Sequence, residues 1–141
     1  MTTRREFGGC AANIAYGLQL LGDRGIAMAT AGGDFAPYRE RMTSQGLIVE
    51  HIQVVEGTFT AQAFITTDLD DNQITAFHPG AMQFAHLNKV ADAGEGVALG
   101  IVAPDGRQAM IEHAAQFEAA SIPFIFDPGQ GMPMFGPEDL K

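Results

Sequence analysis

The chain has 141 residues, of which 46% are hydrophobic and 18% are charged, a composition typical of one folded domain rather than a disordered segment. Eight basic residues against seventeen acidic ones give a net charge of −9, with no basic cluster beyond Arg4-Arg5, which excludes a nucleic-acid surface. One cysteine excludes an internal disulfide framework, and no apolar run approaches the ~18 residues of a membrane span. We therefore expect a cytoplasmic protein with no nucleic-acid or membrane partner.

The first predicted helix covers residues 10–21, begins after the pair Gly8-Gly9 and ends at Gly22. Because glycine has no side chain, a ligand can closely approach the bare backbone N–H groups at the helix N-terminus. Asn13 lies in the first turn, off the apolar stripe, and its amide can donate and accept hydrogen bonds. These three residues indicate a site for a polyhydroxylated ligand, although a glycine pair before a helix is often only a tight turn.

The single cysteine, Cys10, opens this helix. A thiol at a helix N-terminus can be reactive, but a small packed residue is the commoner role of a free cysteine. We expect Cys10 to be packed.

A second strand and helix follow the same pattern. Residues 26–31 form a short apolar run typical of a strand buried on both faces, and Gly32-Gly33 turns the chain. We expect Asp34 to cap the next helix, which ends at Gly46. Residues 47–55 alternate between apolar and polar side chains and predict another strand.

A β-hairpin is predicted in the middle of the chain. Residues 58–67 and 73–78 are rich in Thr, Phe and Ile, and the polar residues 68–72 between them predict the turn. Three residues of this turn also match the first ligands of a calcium loop: Asp68, Asp70 and Asn72. Gln73 and Pro79 replace the glycine and the closing glutamate of such a loop, so we expect no bound metal.

The last part of the chain predicts strand, helix and strand at residues 97–103, 107–120 and 123–126, after a short helix near residues 83–92. Because such a unit makes a right-handed crossover, its two strands should be parallel. The sequence therefore predicts an α/β fold with a mostly parallel sheet and a projecting hairpin.

Asp127 follows the last predicted strand, at the edge where open α/β sheets bind ligands. The sequence Asp127-Pro128-Gly129 would also form a turn, so a ligand contact and a purely structural role both remain open.

The pattern Gly8-Gly9-x-x-x-Asn13-x-Ala15 resembles the N-terminal signature of the PfkB carbohydrate kinases, the group that includes ribokinase and adenosine kinase. The resemblance continues at residues 31–35, 58–63 and 127–130, and so covers nearly the whole chain. It implies a ribokinase-like, three-layer α/β/α fold, present as a partial domain over residues 1–141. In that fold the hairpin of residues 58–78 would be a lid over the phosphoryl acceptor.

In this family ATP phosphorylates a primary hydroxyl of a sugar or nucleoside, so the resemblance implies a small-molecule sugar or nucleoside as ligand. It also implies that Gly8, Gly9 and Asn13 bind the hydroxyl groups of the pentose. A closed lid excludes water from the reaction. The candidate lid residues are Thr60, Gln62 and Phe64, and the alternation of the strand leaves open which of them face the ligand. Asp127 is a weaker candidate.

The family's Gly-Ala-Gly-Asp block, which carries the anion hole and the catalytic Asp, does not occur in this sequence. We therefore expect an internal fragment of a longer kinase, with the catalytic Asp C-terminal to Lys141. The full-length enzyme would use ATP and Mg²⁺, whereas the fragment would bind neither and would be inactive. The alternative is a non-catalytic domain that binds a nucleoside or sugar, or that self-associates, for example as a homodimer through the lid.

Overall fold

The computed structural model describes residues 3–140. The predicted domain of residues 1–141 also includes Met1, Thr2 and Lys141, which lie outside the described residues. The described residues contain three α-helices and six β-strands. They are α1 (Cys10–Leu20), β1 (Ala29–Ala31), α2 (Ala36–Ser44), β2 (Ile52–Val54), β3 (Gln62–Thr67), β4 (Gln73–His78), β5 (Gly100–Val102), α3 (Arg107–Ala119) and β6 (Phe124–Phe126). Three 3₁₀ segments are Gly80–Leu87, Val90–Ala93 and Gly129–Met134.

The first half of the chain has one hydrophobic core, which α1, β1, α2 and β2 share. Its buried residues are Ala15, Ala27, Ala31, Phe35, Met42, Leu47 and Ile52. Both helices are followed by a glycine with positive φ, Gly22 at 85° and Gly46 at 76°, a conformation that glycine adopts without a Cβ clash. The two predicted helix ends are therefore confirmed.

The strands form three two-stranded sheets within residues 3–140. β1 pairs with β2 and β5 pairs with β6, and both pairs are parallel, as the strand–helix–strand patterns predict. Each parallel strand is shorter than predicted, because only three residues of each predicted run form a ladder with a neighbouring strand. In residues 47–55, for example, Ile48 makes one isolated bridge with Ile26, and β2 begins only at Ile52.

The second half of the chain packs α3 against β5 and β6. Phe117 of α3 stacks on Phe124 of β6, with ring centroids 5.7 Å apart. The 3₁₀ segment Gly80–Leu87 contacts both β1 and α3, and the Thr30 hydroxyl donates a buried 2.7 Å hydrogen bond to the Ala81 carbonyl. This segment therefore connects the two halves.

The predicted α-helix near residues 83–92 is wrong, because two shorter 3₁₀ segments replace it. Between them Asn88 is extended, with ψ of 143°. Its carbonyl oxygen lies 3.0 Å from Nε2 of His113, and the N–H of Val90 donates to the side-chain oxygen of Gln116 at 2.7 Å. The hydrogen bonds that Asn88 and Val90 make with α3 therefore outweigh the local preference of this segment for one continuous helix.

Cys10 is exposed, so the expectation that it is packed is wrong. α1 turns Ala11 and Ala15 toward the core, and position 10 lies outside that stripe.

The predicted hairpin is confirmed, with β3 and β4 antiparallel and Gln62 opposite His78. Every residue of β4 is exposed, as is every residue of β3 after Gln62, so the hairpin projects into solvent. The carboxylate of Asp68 accepts hydrogen bonds at 2.9 Å from the N–H of Asp70 and from the N–H and side-chain amide of Asn72. The Asp68 carboxylate therefore holds the turn together.

Two further features, a metal-ligand cluster and a membrane-spanning helix, are absent between residues 3 and 140. No group of three or more His, Cys, Asp or Glu side chains there has an arrangement suited to a metal ion. None of the helices in this part of the chain is both long enough and apolar enough to cross a membrane.

Candidate functional site

The turn at Gly8-Gly9 leaves the backbone before α1 open to approach. Gly9 has φ of 104° and ψ of 142°, and its carbonyl accepts the first helical hydrogen bond, from the N–H of Asn13 at 3.1 Å. A Cβ placed on Gly8 or on Gly9 would meet nothing within 4 Å. Gly8, Gly9 and Asn13 are all exposed. The free space and the helix N-terminus are what a close backbone contact with a ligand requires.

Tyr38, in the first turn of α2, fixes this glycine turn. Its hydroxyl donates a 2.9 Å hydrogen bond to the carbonyl of Gly8, and its ring stacks on Phe7 with centroids 4.6 Å apart. Partial burial raises the pKa of Tyr38, and the charge of Arg41 opposes that rise. Asn13, Tyr38 and Arg41 line an open cleft of about 180 Å³ between α1 and α2.

Asp34 does not cap α2, so that prediction is wrong. The helix begins at Ala36 without a side-chain cap, and Pro37 in its first turn has no N–H to offer a capping carboxylate. Instead, Oδ1 of Asp34 accepts hydrogen bonds at 2.7 Å from both the N–H and the hydroxyl of Thr60, and Oδ2 accepts one at 3.3 Å from Nε2 of Gln62. Burial would raise the pKa of Asp34, but these bonds to the charged form hold that pKa below its ordinary value.

The chain just before the hairpin lies between two backbone segments. On one side Gly33 donates to the carbonyl of Thr58 at 3.0 Å, and a Cβ on Gly32 would overlap the backbone of Phe59. On the other side the N–H of Ala81 donates to the carbonyl of Phe59 at 2.8 Å. This close approach is why position 32 requires glycine.

The hydrogen bond between Gln62 and Asp34 identifies the face of the hairpin that is directed toward the loop after β1. Successive side chains of a strand point to opposite faces, so Gln62 and Phe64 share one face of β3 while Ala63 and Ile65 share the other. Because the amide of Gln62 reaches Asp34, the face with Gln62 and Phe64 is directed toward the loop after β1.

One short segment connects the glycine turn to the base of the hairpin. Asp34 binds Thr60 and Gln62, and Tyr38, four residues later, binds Gly8. The structure thus ties these two groups of predicted site residues to the start of α2. Phe64 lies further out on the hairpin and is 59% exposed.

Asp127 lies elsewhere, at the carboxyl end of β6. It is exposed, and its Oδ1 accepts a 3.0 Å hydrogen bond from the N–H of Gly129. This is the bond expected if Asp127 has the structural role in a turn, one of the two roles that the sequence allows. The contacts of Asp127 therefore belong to its own turn.

The sequence reasoning missed Asp105, at the carboxyl end of β5 and directly before α3. Its carboxylate accepts a 2.7 Å hydrogen bond from the N–H of Gly106. Burial raises the pKa of Asp105 to about 6, although the Gly106 bond opposes the rise. Since β5 and β6 are parallel neighbours, Asp105 and Asp127 follow the same edge of the sheet. The available signal was an acid between the predicted strand of residues 97–103 and the predicted helix that begins at residue 107.

Comparison with known proteins gives consistent matches across the chain. The chain is 34% identical to a nucleoside kinase of Methanothermobacter thermautotrophicus, an alignment that covers 98% of this chain and 46% of that protein. The solved nucleoside kinase of Burkholderia thailandensis in complex with inosine is 54% identical, covering 99% of this chain and 47% of that one, with a TM-score of 0.92. The same kinase in complex with ADP-inosine is 53% identical over 99% of this chain and 44% of that one, with a TM-score of 0.89.

The chain thus spans about half the length of the relatives that it matches. The structural similarity confirms the ribokinase-like α/β fold expected from the resemblance, present here as a partial domain. The profile of the pfkB family carbohydrate kinases matches residues 1–130, and on that match the chain belongs to this family of kinases.

Proposed function

We propose that this chain is the part of a nucleoside kinase that binds the phosphoryl acceptor. The observation that carries the proposal is the Gly8-Gly9 turn, whose backbone is uncovered and which Tyr38 ties to the segment that holds the hairpin. The similar Burkholderia thailandensis enzyme, solved with inosine, favours a nucleoside over a free sugar as the ligand. A cytoplasmic location stays a prediction from the composition.

In this proposal each group of residues has a separate task. The backbone N–H groups at Gly8 and Gly9 and the amide of Asn13 bind the hydroxyl groups of the pentose. The hairpin closes over the ligand with the face that carries Gln62 and Phe64, and so excludes water from the acceptor hydroxyl. Asp127 remains a weaker candidate, because its carboxylate already serves its own turn.

Phosphoryl transfer also requires a nucleotide, charge neutralisation and a base for the acceptor hydroxyl. The solved complex with ADP-inosine supports nucleotide binding by that relative, and we propose that the full-length protein uses ATP and Mg²⁺. Between residues 3 and 140, no group of three or more His, Cys, Asp or Glu side chains is arranged to hold a metal ion. We propose that residues 1–141 bind neither ATP nor Mg²⁺ and that the catalytic Asp lies C-terminal to Lys141, because the family's Gly-Ala-Gly-Asp block does not occur in this sequence.

Calorimetric titration tests the binding part of the proposal. Inosine and adenosine should bind more tightly than ribose or fructose, and Asn13→Ala should weaken inosine binding roughly two- to tenfold, as expected when a neutral hydrogen-bonding partner is lost. Gln53→Ala is the matched control, since Gln53 is an exposed amide on β2 that does not line this cleft. The proposal fails if no nucleoside binds, or if both variants behave alike.

A phosphorylation assay tests the catalytic part. Transfer of phosphate from ATP to inosine or adenosine is expected for the full-length protein and not for residues 1–141 alone. Robust phosphorylation by residues 1–141 would refute the proposed division of the site.

A second candidate function is self-association through the hairpin, without catalysis. The observation in its favour is the exposure of five large apolar side chains on β3, β4 and their turn: Phe64, Ile65, Leu69, Ile74 and Phe77. An exposed apolar patch with open strand edges is typical of a protein contact.

Sedimentation velocity tests this second function. A homodimer through the hairpin should dissociate in Ile65→Lys, which changes the hairpin face opposite to that of Gln62. It should persist in Gln53→Lys, which changes an exposed position of β2. A monomer at all concentrations removes the self-association hypothesis. A dimer that phosphorylates nucleosides would make association an accessory property of the kinase.

A further inference from the structure

The base of the hairpin is held by one carboxylate. The backbone bonds of Gly33 and Ala81 hold Thr58 and Phe59, and they form whichever residue stands at position 34. After Phe59 the chain enters the projecting hairpin. There the carboxylate of Asp34 accepts hydrogen bonds from Thr60 and Gln62.

We propose that Asp34 is a positioning residue for the lid: its carboxylate latches the hairpin through Thr60 and fixes the direction in which Gln62 presents its amide. The lid role rests on the proposed function, whereas the latch itself is a property of the fold.

The hydrogen bonds at Thr60 have a fixed direction. The N–H of Gly32 donates to Oγ1 of Thr60 at 3.0 Å, so the hydroxyl oxygen is the acceptor of that bond. The hydroxyl hydrogen is then available to Oδ1 of Asp34 at 2.7 Å, and the N–H of Thr60 donates to the same oxygen at 2.7 Å. An ionised carboxylate only accepts hydrogen bonds, and bonds to a charged group are stronger than neutral ones. Thr60 therefore connects the loop after β1 to the hairpin through both its backbone and its side chain.

The same carboxylate orients Gln62. Because Asp34 only accepts, the atom of Gln62 that faces it is the amide nitrogen, Nε2, at 3.3 Å. The amide oxygen Oε1 then lies on the other side of the planar group as an acceptor. A ligand group that meets Oε1 must therefore be a donor, a hydroxyl or an N–H group, whereas the second hydrogen of Nε2 stays available to an acceptor.

Hydrogen exchange of the full chain, measured by mass spectrometry, tests the latch. Thr60→Val removes the hydroxyl and should speed amide exchange in residues 62–78 roughly tenfold, while α1 and α2 stay protected. Thr60→Ser keeps the hydroxyl and should restore the slow exchange. Asp34→Asn should resemble Thr60→Val, and Asp23→Asn, at an exposed acid after α1, should match the wild type. Thr75→Val, on exposed β4, is the matched control for Thr60→Val.

The outcomes separate a latch from a general structural role. Any one of three results would overturn the proposal. Amide exchange in residues 62–78 could be unchanged, exchange could accelerate equally in α1, α2 and the hairpin, or Thr60→Ser could fail to restore slow exchange. If Asp34→Asn does not fold, the comparison of Thr60→Ser with Thr60→Val still decides. Inosine affinity is measured on the same variants. Absence of inosine binding to the wild type contradicts the proposed function, whereas the exchange result alone decides the latch.

Discussion

The phenolic hydroxyl of Tyr38 donates a hydrogen bond to the carbonyl oxygen of Gly8 across 2.9 Å, although 30 residues separate the two in the sequence. The bond fixes the backbone of the glycine turn from outside the turn itself. Because Tyr38 follows Asp34 by four residues, the same short segment sets the positions of the glycine turn and of the hairpin base.

Replacing this tyrosine tests the link. Tyr38→Phe removes the hydroxyl and keeps the ring that stacks on Phe7. A neutral hydrogen bond contributes about 0.5–1.5 kcal/mol, so inosine should bind roughly two- to tenfold more weakly in calorimetry. The thermal midpoint is the control and should fall by no more than a few degrees. An unchanged affinity would show that the Gly8 carbonyl needs no such support.

The two glycines of the turn provide a matched pair. Gly9 has φ of 104°, which L side chains rarely adopt, so Gly9→Ala should lower the free energy of unfolding by about 1–3 kcal/mol. Gly8→Ala carries no such strain and should change stability by less than about 0.5 kcal/mol. Both variants add a methyl group to space that is empty within 4 Å, so both should weaken nucleoside binding. Urea denaturation and calorimetry give the two readouts, and normal binding by Gly8→Ala would contradict the proposed backbone contact.

A second glycine pair tests the packing beneath the hairpin. A Cβ on Gly32 would overlap the backbone of Phe59, whereas a Cβ on Gly33 would meet nothing within 4 Å. Overpacking of this kind costs about 1–3 kcal/mol, so Gly32→Ala should be destabilised by at least that amount in urea denaturation. Gly33→Ala should match the wild type or be slightly more stable, because alanine lowers the entropy of the unfolded chain, and equal losses in the two variants would contradict the role of the contact with Phe59.

Asp105 predicts a dependence of stability on pH. Its pKa is raised from 3.8 to about 6, so the folded protein keeps the proton at pH values where the unfolded chain has lost it. The stabilisation is complete below the unfolded value of 3.8 and is lost as the pH rises through about 6.

Asp105→Asn should therefore be more stable than the wild type above pH 6 and close to it near pH 4. One unit corresponds to about 1.4 kcal/mol, so the gain at high pH should reach about 3 kcal/mol. The amide oxygen of asparagine can still accept the N–H of Gly106. Thermal or urea unfolding across this pH range measures the difference, and a difference that does not vary with pH would contradict the burial of the Asp105 charge.

The helices and the hairpin could be predicted because their signals are local. The apolar spacing of α1, the glycines at 22 and 46 and the turn at residues 68–72 each act within a few residues. The 3₁₀ segments could not be predicted in this way, because Asn88 and Val90 are held by side chains of α3, more than twenty residues away.

The residues of the candidate site divide in the same way, into those with a local sequence signal and those whose partners are distant in the sequence. Gly8, Gly9 and Asn13 could be selected from their place before and within one helix. Asp34 was placed at a helix cap because its immediate neighbours suggested one, and its actual partners, Thr60 and Gln62, are 26 and 28 residues away. Asp105 was missed because burial of its side chain depends on the packing of α3 against the strands, which spacing does not reveal.

Cys10 is the single cysteine of the chain, and it is exposed directly beside Gly9. A thiol-reactive fluorophore would therefore label one known position without any engineered mutation. Its emission would report on the surroundings of the glycine turn, which offers an optical readout of nucleoside titrations that is independent of heat or turnover.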